Sequence, residues 1–221
     1  MHFHPKALKA SIVIATLALS GLAAPLASAD TIIDGWNKVQ VPAAPELKPA
    51  KLDAKTTALL LLDFNGAQDP TKGPCNSKTK PRCIASLPHV QAMLEKARSA
   101  GVFIVYSLGG SGEPADIATA IAPKGGDPIV KSGPDKYVKT DLAKVLEEKG
   151  IKTVIVTGTA SEGAVLNTGS HAALQGLNVV VPVDGMSSTE LYAEQYVAWH
   201  FVNAPGVSAK TTLTQFSQIS F

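Results

Sequence analysis

The chain has 221 residues, 45% of them hydrophobic and 17% charged, with a formal net charge of +2. That length and apolar share allow one globular domain with a sizeable core and do not call for two. The near balance of charge excludes the strongly basic surface that binding to nucleic acid or anionic lipid would need.

The first stretch stands apart from the fold. Lys6 and Lys9 precede an apolar run from Ile12 to Leu19, and Ala27-Ser28-Ala29 forms a small-residue cleavage site. Residues 1–29 are therefore expected to be a cleaved signal peptide, with the mature chain exported to the periplasm or beyond the cell. A membrane anchor is the rival reading, but Ser20, Gly21 and Pro25 interrupt a segment shorter than the roughly 20 apolar residues a span needs. No membrane span is expected once the leader is removed. The leader carries lysines and no acid, so its loss leaves basic and acidic residues equal in number.

Residues 30–55 are rich in Pro and Ala without a period and read as an N-terminal arm that precedes the domain or lies over it. The domain itself is expected over residues 56–221. It opens with Thr57-Ala-Leu-Leu-Leu-Leu-Asp63, an unbroken apolar run ending in an acid, as in a strand buried on both faces. The following loop contains Cys75 and Cys83, which an oxidising compartment would join as a disulfide. A metal site would need more ligands, and Gly73–Cys83 contains no His, Asp or Glu; a reactive thiol is the other alternative.

A helix is predicted over Ser86–Ala100, stopped by Gly101, and a strand over Val102–Tyr106. Ile129–Val130 is a short strand ahead of Lys131, Val138–Lys149 a helix closed by Gly150, and Thr153–Thr157 the next strand. Gly158 permits a tight turn, and Ser161 is the candidate N-cap of a helix running to Gln175, closed by Gly176. A strand over Asn178–Pro182 and a helix over Thr189–Asn203 follow. Such alternation specifies a parallel sheet covered by helices on both faces and joined by right-handed crossovers. Ligands of such sheets bind beyond the carboxyl ends of the strands, where Asp63, Lys131 and the Thr157–Ala164 turn fall.

Taken in this order, the signals resemble those of the isochorismatase-like cysteine hydrolases over about Thr57 to Phe216. Four stretches carry the resemblance: Leu59-Leu-Leu-Leu-Asp63; Ile129-Val-Lys131; Thr157-Gly-Thr-Ala-Ser-Glu-Gly-Ala-Val165, set against the family pattern T-G-x-x-[ST]-x-x-C-V; and Val179–Ser188, set against a strand followed by D-[AG]-x-x-[ST]. The resemblance implies a single-domain, three-layer α/β/α fold with a six-stranded, mainly parallel sheet, often assembled as a homo-oligomer. It also implies a catalytic Asp, Lys and Cys at the positions of Asp63, Lys131 and Ala164. Thr159, Ala160, Ser161 and Gly163 would lie beside the substrate, with a peptide between Thr159 and Ala160 that is frequently cis.

The family cysteine thus falls on Ala164. A thiol at a helix N-terminus beside a lysine has its thiolate favoured by dipole and charge, while an adjacent carboxylate takes and returns the proton. Backbone N–H groups of the Thr-Gly-Thr-Ala turn would hold the oxyanion. A methyl group cannot attack, so cysteine-dependent amide hydrolysis is not expected. Ser161 reads as a cap rather than a substitute nucleophile. His171 shares the helix face of Ala164, about 10 Å further along, and reads as a packed or surface residue.

No cofactor or metal is expected. Nicotinamidase-type relatives place a metal-binding histidine where this chain has Tyr106-Ser-Leu-Gly-Gly-Ser-Gly112, and His89, His171 and His200 lack ligand spacing. Two functional readings follow, both with a small molecule as partner. One is an exported binding pseudoenzyme in which Asp63 and Lys131 form a structural ion pair. The other is a thiol-independent hydrolase of vinyl ethers or related C–O or C–N bonds, with Asp63 as acid and base beside Lys131, which requires a proton on Asp63 near neutral pH. Gln68 and Arg82 loosely suggest the substrate-holding groups of that second class.

Overall fold

A computed structural model describes residue 1 and residues 31–221. Apart from Met1, the expected signal peptide and its cleavage site lie outside the described residues. The chain divides into two compact units, with the boundary between Val41 and Pro42. In the first, the Thr31 main-chain N–H donates to Asp34 Oδ2 at 2.9 Å and opens the one-turn helix α1 (Ile32–Gly35). The expected arm is therefore not one piece: from Pro42 onward it belongs to the larger unit.

That unit runs through β1 (Ala50–Lys51), β2 (Thr57–Leu62), α2 (Pro81–Ala100), β3 (Phe103–Leu108), β4 (Ile129–Lys131), α3 (Leu142–Glu148) and β5 (Thr153–Thr159). A π-helical turn over Ser161–Val165 leads into α4 (Leu166–Leu174). The chain continues through β6 (Asn178–Pro182), β7 (Met186–Ser187), α5 (Leu191–Asn203), β8 (Thr211–Thr214) and β9 (Ile219–Ser220). The main sheet has seven strands in the order β4-β3-β2-β5-β6-β8, with β7 pairing beyond the end of β6 on β5; every pairing is parallel.

The leucine run of β2 is central because both its faces can be buried. Leu59 and Leu61 point into one core with Val90, Met93 and Leu94 of α2. Leu60 and Leu62 point into the other with Leu142 of α3, Ala172 of α4 and Phe201 of α5. Alternation at period two thus feeds two helical layers from one strand, each leucine contributing roughly 1.5–3 kcal/mol by burial.

The expected six strands become seven. Neither β7 nor β8 was among the strands located in the sequence: β7 is only two residues long, and in β8 Thr211 and Thr212 are half-buried and only Leu213 and Thr214 reach the core, so no apolar run marks it. The start of α2 also lies earlier than Ser86: Pro81 takes the first helical position, where a missing N–H costs nothing, and Pro88 is accommodated inside the helix. α3 begins later than Val138 because Lys139 has a φ of 58°, which no helix continues. The first and last strands of this unit are tied together, with β1 parallel to β9 and the Leu52 N–H donating to Ser220 O at 2.8 Å.

Candidate functional site

Because the strands are parallel, the residues following β2, β3, β4 and β5 gather at one edge of the sheet. There they line a cleft of about 650 Å³ whose walls include Asp63, Asn65, Gly109, Ser132, Thr159 and Ala164. Asp63 directly follows β2 with a φ of 59°, a left-handed conformation that aspartate tolerates better than the leucines before it. Its N–H and one carboxylate oxygen both meet Ser107 of β3: Ser107 Oγ donates to Oδ1 at 2.6 Å and accepts from the Asp63 N–H at 3.2 Å.

The other carboxylate oxygen is held by a lysine, and that lysine is Lys136. Its Nζ donates to Asp63 Oδ2 at 2.7 Å, to Gly133 O at 2.8 Å and to Ser132 O at 3.2 Å. These three acceptors match the three donors of an ammonium, and Lys136 is 0% exposed. Lys131, expected beside Asp63, instead pairs with Glu113 at 3.0 Å, with both side chains largely in solvent. β4 is an edge strand, and Lys131 at its end turns outward, whereas the loop beyond it folds back over the sheet edge. Burial pushes the Asp63 carboxyl above the usual aspartate range, and the Lys136 ammonium and Ser107 hydroxyl only partly offset it.

Glycine supplies the space for this pair. A Cβ on Gly109 would sit 2.8 Å from Asp63 Oδ2, and one on Gly112 would sit 2.2 Å from Asn65 Nδ2. Asn65 in turn spans the loop, accepting from the Gly109 N–H at 3.1 Å. The loop after β3 therefore closes on the carboxylate through main chain alone.

The opposite wall is the start of the α4 segment. The Thr159–Ala160 peptide is cis, and Thr159, Ala160, Gly163 and Ala164 all line the cleft. Ser161 does not. It lies inside the π-helical turn, fully buried, with its Oγ donating to Glu162 Oε2 at 3.3 Å, and the N-cap position belongs to Ala160. The predicted capping role fails because the wider turn starts at Ser161 itself and places its hydroxyl against a side chain rather than a free N–H. Glu162 Oε2 also accepts from Ser188 Oγ at 2.6 Å, which fixes this turn to the segment after β7.

Cys75 and Cys83 are joined as a disulfide, and both are buried. The bond ties the first turn of α2 to the loop whose Gly73 and Pro74 line the cleft. Gln68 also reaches the cleft but donates to Ile117 O at 2.6 Å, while Arg82 is bound bidentately by Glu194 elsewhere. The sequence reading missed Lys136, Ser107, Asn65 and Gly109. The one local sign was Gly133-Pro134-Asp135, a turn tripeptide that folds the chain back immediately before Lys136.

Residues 57–213, from the start of β2 into β8, match the isochorismatase domain family. The chain belongs to that family. A secreted isochorismatase effector of Verticillium dahliae is 26% identical over 155 residues, covering 65% of this chain and 78% of the relative. Among solved structures, an isochorismatase-like hydrolase from Alkaliphilus metalliredigens superposes with a TM-score of 0.63 at 21% identity, covering 74% of this chain and 96% of its own. N-carbamoylsarcosine amidase from Thermoplasma acidophilum superposes with a TM-score of 0.62 at 17% identity, covering 75% and 99%. At such identities the structures establish the isochorismatase-type fold. Among the described residues no helix is long and apolar enough to cross a membrane.

Proposed function

We propose that this isochorismatase-family chain is an exported protein whose cleft binds a small molecule without cysteine chemistry. The observation that carries the reading is the methyl group of Ala164, set in the wall of a cleft that is otherwise furnished, with Asp63 held by Lys136 and Ser107. A nucleophile is missing while its surroundings persist, and the secreted effector relative supports export. A lining of polar side chains and glycines around the methyl groups of Ala160 and Ala164 suits a compact ligand with several hydrogen-bonding groups.

Native mass spectrometry of the purified protein, together with melting curves against panels of amides, carboxylic acids and cyclic vinyl ethers, tests this. A bound mass or a raised melting temperature is expected. A bare chain indifferent to every compound would sink the reading. The placement of Ala164 has its own test: both native cysteines are locked in a disulfide, so Ala164→Cys adds the only free thiol. At the start of a helical segment, in a polar cleft, it should react with iodoacetamide much faster than an ordinary surface cysteine. Slow labelling would mean that this wall no longer supports a thiolate.

A second reading is favoured by one observation, the upward displacement of the Asp63 carboxyl by burial. A carboxyl that retains its proton is a general acid: it would give that proton to the terminal carbon of a vinyl ether, water would add to the resulting oxocarbenium carbon, and the hemiketal would collapse to an alcohol and a carbonyl product without any thiol. Turnover of a vinyl ether in the panel by the unmodified protein would select this reading; binding without turnover selects the first.

A further inference from the structure

Lys136 reaches Asp63 from a loop with no regular structure, and a lysine has a flexible four-carbon stem. Something must fix where its main chain sits. The contacts of Pro134–Tyr137 answer this, because consecutive residues of that loop are held by the same helix face. Thr168 Oγ1 accepts from the Lys136 N–H at 3.2 Å and donates to Pro134 O at 3.4 Å. His171 Nδ1 meets Asp135 Oδ2 at 2.8 Å, while Asp135 Oδ1 accepts from the Tyr137 N–H at 3.0 Å. The Tyr137 ring stacks on His171 with centroids 4.4 Å apart and planes 14° from parallel.

Thr168 is fully buried and His171 is half-buried. Four and seven positions after Ala164, they continue its helix face away from the cleft. The grip is specific to the lysine's task. Two of the three acceptors on Nζ, Ser132 O and Gly133 O, belong to the same loop, so a loop held in shape holds the ammonium aimed at Asp63.

We propose that Thr168 and His171 are positioning residues that fix the loop Pro134–Tyr137, and through it the Lys136 ammonium on Asp63. The helix carrying Ala164 is thereby coupled to the carboxyl on the opposite side of the cleft. The inference rests on the reading of Asp63 and Lys136 as the working pair of the cleft, and its test reads the carboxyl rather than any activity. A protein that bound nothing would still show or fail to show the coupling.

The experiment follows the Asp63 carboxyl by carbon NMR on aspartate-labelled full-length protein, with Asp63→Asn identifying the signal. A lysine that slips from the carboxylate withdraws an attraction that favours the ionised form, so the midpoint must rise. Thr168→Val should raise it by about one pH unit or more, and Thr168→Ser, which keeps the hydroxyl, should restore it. His171→Phe keeps a ring on Tyr137 but loses the bond to Asp135, and should also raise the midpoint. It decides the matter alone if Thr168→Val does not fold. An unchanged midpoint in either folded variant, whatever its melting temperature, would overturn the proposal, since packing alone would then explain these contacts.

Discussion

A fully buried ammonium is costly unless each of its N–H groups finds an acceptor. Lys136 meets that condition with one carboxylate oxygen and two carbonyls, which gives it a structural role. Lys136→Ala leaves Asp63 in a buried site without its counter-charge, and urea unfolding at neutral pH should show a loss of about 3–5 kcal/mol. Lys131→Ala breaks only a pair whose side chains are 46% and 69% exposed, so its cost should stay below about 1 kcal/mol. Equal losses in the two variants would contradict the assignment. Lys131 ends β4 and Lys136 lies in the loop just beyond it, and neither composition nor spacing marks which one turns inward. The distinction comes from Thr168 and the loop carbonyls, partners remote in sequence or irregular in conformation.

At the scale of elements, the loop after β3 and the turn before α4 form the two walls of the cleft, and each depends on small residues. Gly109 is set against Asp63 and not merely in a flexible turn, since a Cβ there would overlap the carboxylate. Gly109→Ala should therefore cost about 1–3 kcal/mol through forced displacement. Asp63 should move with it, visible as a changed carboxyl midpoint in the same NMR experiment; a stable variant with an unmoved Asp63 signal would refute the contact. The run Gly109-Gly110-Ser111-Gly112 reads in sequence only as a break between elements. Strand β2 was legible because its leucines are apolar throughout, and Asp63 because an acid ended that run. The edge strand β8 left no comparable mark, since half-buried threonines carry little apolar signal.

At the largest scale, parallel strands bring four loops to one edge, and a disulfide and the pairing of β1 with β9 secure the arrangement. Cys75 and Cys83 fasten the loop beside the cleft to α2, and the Cys75 N–H donates to Asn65 O at 3.1 Å. A Cys75→Ser, Cys83→Ser double variant should lose about 2–4 kcal/mol. Hydrogen exchange should accelerate over residues 66–75 and 109–112, while β2 and β5, buried between helical layers, remain protected. Acceleration spread evenly through the sheet would show that the bond supports the core rather than the cleft wall.

By itself the sequence determined the alternation of strands and helices, the parallel sheet and the family resemblance; it led to the expectation of a Cys75–Cys83 disulfide and marked Asp63 and Ala164 as candidate site residues. Each of these follows from local signals: an unbroken apolar run, a turn glycine, two cysteines in one loop, or a motif with one residue exchanged. Only the tertiary structure decided that Lys136 rather than Lys131 holds Asp63, that Ser161 is buried away from the cleft, and that β8 closes one edge of the sheet. Those outcomes depend on acceptors, clearances and backbone turns assembled from distant segments. A side chain's partners are fixed by where the fold brings other main chain, which its neighbours in sequence do not encode.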